Sequence, residues 1–172
     1  MRTPTPDGLR IFYSHAYRYD KGVTAARAIL RAAWGRLYIR MEPSKRHPLH
    51  MDEHELLAEL KRRITSSDVV LVSGRPFDPR RRHIILHELD VAFSEHIPIL
   101  VVTAAADEIG APWVCRYMTD WCDLDDLLSR TLAVLPPRRR AEFCAQLQKR
   151  KVSRSDLRAL AQVSRSPAPS SR

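Results

Sequence analysis

Two short apolar runs, Val69–Ser73 and Ile97–Thr103, constrain the fold of this chain more than any other feature. Both are rich in β-branched residues and lack the polar alternation of a strand with one face in water, which is typical of central strands in a parallel sheet covered on both sides. The amphipathic stretch over residues 82–95 supplies the helical crossover that parallel strands require. An α/β sheet is therefore predicted, with ligands expected outside the carboxyl ends of its strands.

The rest of the sequence continues this alternation of strands and helices. The spacing of apolar residues predicts further strands at Leu9–Ser14, Leu37–Met41 and Pro112–Met118, and further helices over residues 23–34, 52–66 and 124–135. Asp52 followed by Glu55 resembles a capping box at the start of the second helix. This order predicts a doubly wound, mainly parallel, five-stranded α/β sheet, with the flavodoxin-like strand order as the leading expectation.

The positive charge of the chain is concentrated at its end. The 172 residues carry a formal net charge of +9. Residues 1–136 hold 19 Lys and Arg against 18 Asp and Glu, a net charge of +1, whereas residues 137–172 hold 10 against 2, a net charge of +8. We therefore expect one α/β domain over residues 1–136, followed over residues 137–172 by a basic helical extension with a disordered end.

The basic extension allows two interpretations. Arg138–Arg140 and Lys149–Lys151 lie in helical patterns that could imitate a helix-turn-helix bound to DNA or RNA. A helix that packs on the domain or on a partner protein fits the same pattern at least as well. Nucleic acid is therefore a partner that the sequence allows but does not favour.

Composition excludes several classes of protein. No apolar stretch approaches the roughly 20 residues of a membrane-spanning helix, and the first residues lack the apolar segment of a secretion signal. A cytoplasmic protein without membrane contact is therefore expected. With five glycines in all, the chain contains neither G-x-G-x-x-G nor the Walker A pattern. Its three cysteines form no C-x-x-C pair, so we expect free thiols.

Glu88 is the most informative polar residue. Ile84 and Ile85 lie one helical turn before it, and Val91 and Ala92 lie one turn after it, so its carboxylate projects beside the apolar face that packs on the sheet. A carboxylate in that position is expected to be partly buried, and it then needs a partner or a function. Periodicity alone leaves two alternatives open: an interior acid neutralised by Arg75 or Arg82, or an active-site residue.

Four motifs in order resemble the TIR-like family, and more narrowly the bacterial TIR-like sensor enzymes of Thoeris antiphage defence. They cover roughly residues 9–135 and read F-Y-S-H-A-Y-R-Y-D (12–20), S-D-V-V-L-V-S-G (67–74), H-E-L-D-V-A (87–92) and H-I-P-I-L-V-V (96–102). The resemblance implies that Glu88 is the catalytic glutamate of an NAD nucleosidase or ADP-ribosyl cyclase, with NAD as substrate and no bound cofactor. It also implies an ADP-ribose-derived signal, cyclic in some members, that activates a partner effector, and self-association through TIR-like surfaces.

The remaining candidate site residues follow from the strand ends and from the resemblance. Phe12, Ser14, His15 and Tyr17 lie at or after the end of the first strand, and they offer ring faces, a hydroxyl and an imidazole to a substrate. Phe12 is equally consistent with burial under the sheet. The other predicted substrate-binding residues are Ser73 and Gly74 at the end of the third strand, and His83, which lies about where TIR-like relatives place an aromatic residue.

No metal site is predicted. His50 and His54 lie one helical turn apart, but no cysteine is nearby, and the segment is better interpreted as a solvated face. Two functional hypotheses therefore stand. The first is an NAD-cleaving enzyme, and the second is a catalytically inactive TIR-like module that acts by self-association, by partner binding or by nucleic-acid binding through its tail.

Overall fold

The computed structural model describes residues 9–14, 21–34, 39–42, 52–73, 82–103 and 112–150. Within these ranges strands and helices alternate from the first strand to the fourth. The elements are β1 (Leu9–Ser14), α1 (Lys21–Trp34), β2 (Ile39–Glu42), α2 (Glu53–Thr65), β3 (Val69–Ser73), α3 (Arg82–Ser94), β4 (Ile99–Val102), a 3-10 helix (Pro112–Arg116), β5 (Asp120–Cys122), α4 (Leu127–Val134) and α5 (Pro137–Arg150).

The strands form one sheet in the order β2-β1-β3-β4-β5, and every neighbouring pair is parallel. The predicted α/β class, with a parallel sheet flanked by helices, is therefore confirmed, and the order is that of flavodoxin-like proteins. The chain leaves β1 toward β2 and leaves β3 in the opposite direction toward β4. The carboxyl ends of β1 and β3 thus flank the topological switch point, where open α/β sheets bind ligands.

Helices cover the sheet on both faces because its central strands are apolar throughout. Leu9, Ile11 and Tyr13 of β1 belong to a core cluster with residues of α1, α4 and α5. Phe12, between them, belongs to a second cluster with residues of α2 and α3. This division follows from the alternation of side chains along a strand, and it places α3, with Glu88, on the same face of the sheet as Phe12.

The predicted strand at Pro112–Met118 is wrong. Residues 112–116 form the 3-10 helix, and the fifth strand begins two residues after Met118, at Asp120. Proline is favoured in the first turn of a helix because its φ is fixed and its missing N–H is not needed there. The turn closes with bonds from the backbone N–H groups of Tyr117 and Met118 to the carbonyl of Val114, at 3.0 and 3.1 Å. Hydrogen bonds within this turn therefore determine its conformation, although the apolar composition of the segment is compatible with a strand.

The first part of the basic extension belongs to the main core. Phe143 of α5 is fully buried in the cluster that contains α1 and β1. Arg139 forms two hydrogen bonds to the carboxylate of Asp68, just before β3, at 2.8 and 3.2 Å. Arg140 donates to the carbonyls of Leu132 and Ala133, and so caps the end of α4. The boundary at residue 136 therefore marks a change in charge, while residues 137–150 pack on the α/β core. Residues 151–172 lie outside the described ranges.

Arg139→Ala is expected to lower the free energy of unfolding by about 2 kcal/mol. The part-buried carboxylate of Asp68 remains in the variant and loses both hydrogen bonds that Arg139 donates to it. The guanidinium of Arg139 also lies 5.1 Å from the ring centroid of Phe143, so the substitution uncovers that ring. The exposed neighbour Arg138 is the matched control, and Arg138→Ala should change stability by less than about 0.5 kcal/mol. Denaturant unfolding of the full chain measures both, and equal effects would show that Arg139 does not anchor α5.

The end of α3 is fixed by a Schellman motif. The N–H of Ile97 bonds to the carbonyl of Ala92 at 2.8 Å, and the N–H of His96 bonds to that of Phe93 at 3.2 Å. His96 accordingly has a φ of 56°, in the left-handed region that favours glycine. This tight turn leads directly into β4, so the carboxyl-terminal end of the helix that carries Glu88 is held close to the sheet.

His96→Gly is expected to raise the free energy of unfolding by about 0.5 kcal/mol. Relief of the left-handed conformation outweighs the greater entropy of glycine in the unfolded chain. His96→Val should destabilise by about 1 kcal/mol or more, because a β-branched side chain is disfavoured at positive φ. Thermal or denaturant unfolding ranks the three proteins, and the order Val above His would contradict the assignment of this turn.

The start of α2 matches its sequence signature. The side chain of Asp52 accepts a hydrogen bond from the backbone N–H of Glu55 at 2.8 Å, as an N-cap residue does.

Across the described ranges, no helix has both the length and the apolar character needed to cross a membrane.

Candidate active site

Glu88 and Ser14 meet at the switch point of the sheet. Ser14 is the last residue of β1, and its Oγ donates a hydrogen bond to Oε2 of Glu88 on α3. Both side chains are sealed from solvent, with 0% of Ser14 and 3% of Glu88 exposed. The predicted catalytic acid and one predicted substrate-binding residue, 74 positions apart in the sequence, are therefore in direct contact.

Burial dominates the electrostatics of this pair. Loss of solvation raises the pKa of Glu88 from 4.5 to about 8, and the hydrogen bond from Ser14, which favours the charged form, opposes that rise. The carboxyl group is therefore mainly protonated at neutral pH. Its surroundings are apolar because Ile85, Leu89 and Ala92 lie around it on the buried face of α3.

The structure gives Glu88 no cationic partner among the described residues. Arg82, one of the two arginines that the sequence offers for that role, is exposed, and its guanidinium carbon lies 5.5 Å from the ring centroid of Trp113. Arg75, the other one, lies outside the described ranges. The only hydrogen bond of the Glu88 carboxyl within those ranges comes from Ser14. Neutralisation by Arg82 is thus excluded as the explanation of this buried acid.

Phe12 is part of the core and presents no ring face to a ligand. Its side chain is fully buried among residues of α2, α3 and the central strands. Of the two interpretations of Phe12, packing under the sheet is the one observed, and its assignment to substrate binding is corrected. The cause is its place in β1, since alternation turns it toward α2 and α3 inside a covered sheet.

Ser73 ends β3 on the other face of the sheet. Val69 and Leu71 of this strand belong to the cluster with α1, whereas Val70 and Val72 belong to the cluster with α3. Alternation therefore places Ser73 on the α1 face, away from Glu88. It lies at the expected carboxyl edge and is 8% exposed. The predicted residues His15, Tyr17 and Gly74 lie outside the described ranges.

His83 lies on the first turn of α3 and points toward α2. Its Nε2 is 3.4 Å from Oε1 of Glu53, and both side chains are more than half exposed. Its described contact is therefore with α2 and not with Glu88, so the structure does not bring this candidate to the acid.

Residues 112–118, for which the sequence predicts a strand, supply two contacts that no sequence pattern indicates. Trp113 of the 3-10 helix lies beneath Arg82, and the hydroxyl of Tyr117 donates to Oδ1 of Asp90 at 2.7 Å. Together they hold the 3-10 helix along the outer side of α3. An aromatic ring thus lies near the first turn of α3, contributed by another element and not by the helix itself.

The cysteines and possible metal ligands add no further chemistry to this region. All three cysteines are free, as predicted, and burial raises the pKa of the Cys122 thiol to about 12, which makes it unreactive. Among the described side chains, no group of three or more His, Cys, Asp or Glu is arranged to hold a metal ion.

Comparisons of the chain with protein-family models, with curated proteins and with solved structures returned no match.

Proposed function

We propose that this protein is a TIR-like NAD-consuming enzyme that cleaves the bond between nicotinamide and ribose, with Glu88 as its catalytic acid residue. One observation carries the proposal: a buried carboxyl group lies at the switch point of a parallel sheet, and no described cation neutralises it. Strongly perturbed acids in such positions are more often functional than ordinary surface acids.

A cationic substrate suits such a carboxyl group. The nicotinamide ring of NAD carries a positive charge, and a nearby positive charge favours the ionised form of an acid. Binding of NAD next to Glu88 would therefore lower the pKa of Glu88 and ionise its carboxyl group in the complex with substrate. A neutral ligand would leave the acid protonated.

The reaction needs only one carboxylate. The bond between the ribose carbon and the ring nitrogen breaks, its electron pair stays on nicotinamide, and the leaving group becomes neutral without a proton donor. Positive charge develops on the ribose, where ionised Glu88 stabilises it and accepts hydrogen bonds from ribose hydroxyls. Water, or a nucleophilic atom elsewhere in the same molecule, then attacks that carbon, its proton passes to the Glu88 carboxylate or to solvent, and ADP-ribose or a cyclic derivative results.

The proposed partner is an effector protein that binds the product of the reaction. An ADP-ribose derivative can diffuse to an effector protein, and such signalling fits a role in antiphage defence like that of the Thoeris TIR-like proteins. Self-association through surfaces of the α/β domain is the proposed route to activation. These assignments rest on the resemblance of the motifs around Ser14, Ser73 and Glu88.

The test is the release of nicotinamide by the purified full chain. Incubation with NAD, alone and with an extract of phage-infected cells, is expected to release nicotinamide, which chromatography detects. Reduced NADH is the matched control substrate, because its dihydronicotinamide ring carries no positive charge and is a poor leaving group. Cleavage of NADH as fast as NAD would contradict the role assigned to the cationic ring.

The alternative is a TIR-like module without catalytic activity, and the sealing of Ser14 and Glu88 from solvent favours it. Absence of nicotinamide release with every trigger, together with salt-sensitive nucleic-acid binding through the tail, would support this alternative. The truncation that tests the tail should remove residues 151–172 only. Loss of residues 137–150 would also remove Arg139 and Phe143 from the core.

A further inference from the structure

We propose that Ser14 is a positioning residue: its hydroxyl holds the Glu88 carboxyl at the end of β1 in the orientation that cleavage requires, and does not itself bind the substrate. The inference rests on the proposed function, because it assigns Ser14 a part in that reaction. It changes the role predicted from the sequence, in which Ser14 was a substrate-binding residue.

The hydrogen bond separates the two roles. A substrate-binding hydroxyl would donate its proton to the substrate, whereas the one proton of the Ser14 hydroxyl is donated to Oε2 of Glu88. The bond uses Oε2 of the carboxyl group, which makes Oε1 the oxygen that would meet the ribose. Ser14 therefore acts through Glu88.

Both residues lie on regular elements, and this fixes their geometry. Ser14 pairs with Val72 in the ladder between β1 and β3, and Glu88 lies within α3, whose far end is held by the turn at His96. Side chains on strands and helices are positioned more precisely than side chains on loops. The hydrogen bond from Ser14 joins these two elements and, in this inference, holds the Glu88 carboxyl group in one orientation.

No other described charge competes with Ser14 for control of Glu88. β3 and β4, against which α3 packs, carry no titratable side chain. The nearby charged or titratable side chains of α2, α3 and β1 have other contacts: Arg82 with Trp113, His83 with Glu53, His87 with the carbonyl of Leu57, Asp90 with Tyr117, Glu59 with Arg62 and Arg63, and the side chain of Arg10 with the carbonyl of Ser66. The hydroxyl is thus the one described group that stabilises ionised Glu88, against the effect of burial.

The direct test is the titration of Glu88 itself. In protein labelled with ¹³C at glutamate carboxyl groups, the Glu88 signal is assigned by its loss in Glu88→Gln and then followed against pH. Ser14→Ala is expected to lower the acid dissociation constant of Glu88 about tenfold, the effect of losing one hydrogen bond to a charged group. Ser14→Thr keeps a hydroxyl and should restore a titration close to that of the wild type.

Thr131→Ala is the matched control. Thr131 is also fully buried, but its hydroxyl bonds to the carbonyl of Leu127 on the opposite face of the sheet, so its loss should leave the Glu88 titration within about twofold. An unchanged titration in Ser14→Ala would overturn the inference. A shift in Thr131→Ala as large as that in Ser14→Ala would overturn it as well, because the effect would then be a general loosening of the core.

Activity gives the second measurement. In a protein that cleaves NAD, Ser14→Ala should move the rising limb of the pH–rate profile to higher pH and lower kcat more than it raises KM. A loss expressed mainly in KM would instead assign Ser14 to substrate binding and overturn the inference. If the titration shifts as expected while the wild type releases no nicotinamide, the control of Glu88 by Ser14 stands and the proposed function fails.

Discussion

Replacement of Glu88 by glutamine is expected to lower the rate of nicotinamide release at least about 10²-fold, the usual effect of removing an electrostatic stabiliser of a transition state. Glutamine has nearly the same size and can still accept the hydrogen bond from Ser14 through its amide oxygen. It carries no charge with which to stabilise the developing cation on the ribose. The loss should therefore appear in kcat, with KM changed much less.

Glu95→Gln is the control for this experiment. Glu95 follows α3 directly and is exposed, so its substitution removes one carboxylate from the same region without touching the site. Its rate should match that of the wild type. Equal turnover by Glu88→Gln and the wild type would remove Glu88 from the mechanism.

The second large effect is a pH dependence of stability that belongs to Glu88. Burial raises the pKa of this group from 4.5 to about 8, so between these values the folded protein holds a proton that the unfolded chain releases. The free energy of unfolding must then fall as pH rises through this window, because the unfolded chain binds fewer protons. The contribution is fully present below pH 4.5 and is lost by about pH 8, with a total on the order of 5 kcal/mol.

Comparison with Glu88→Gln isolates this contribution from every other titration. The variant carries no titratable group at position 88, so the difference in unfolding free energy between the two proteins should change with pH while other contributions cancel. Near pH 5 their stabilities should be similar, and near pH 9 the variant should be the more stable by several kcal/mol. Denaturant unfolding at a series of pH values measures this, and parallel curves would show that Glu88 is not buried as a neutral acid.

The sequence predicted the elements whose signal is local and uninterrupted. β1 and β3 have the bounds that their apolar runs indicated, Leu9–Ser14 and Val69–Ser73, because buried central strands are apolar on both faces. The same property made Phe12 ambiguous, since a strand without polar alternation does not show which face each side chain takes. The 3-10 helix at Pro112 was missed because an apolar segment of five to seven residues is compatible with a strand or with a buried turn.

The candidate site was only partly predictable, because its central contact is not local. Helical spacing placed Glu88 beside the buried face of α3, and the strand end placed Ser14 at the carboxyl edge. Their hydrogen bond depends on the register between β1 and β3 and on the packing of α3, which no local pattern encodes. The strength of desolvation at Glu88, which sets its protonation state, likewise depends on the packed core.

Trp113 gives this protein a built-in optical probe. Its indole lies against Arg82 on the first turn of α3, so a displacement of that turn changes the surroundings of the indole and hence its fluorescence. Trp34 and Trp121 are the other two tryptophans of the chain, and their replacement by phenylalanine isolates the emission of Trp113. Stopped-flow mixing of that protein with a nucleotide would then follow the helix that carries Glu88 in real time, without any attached label.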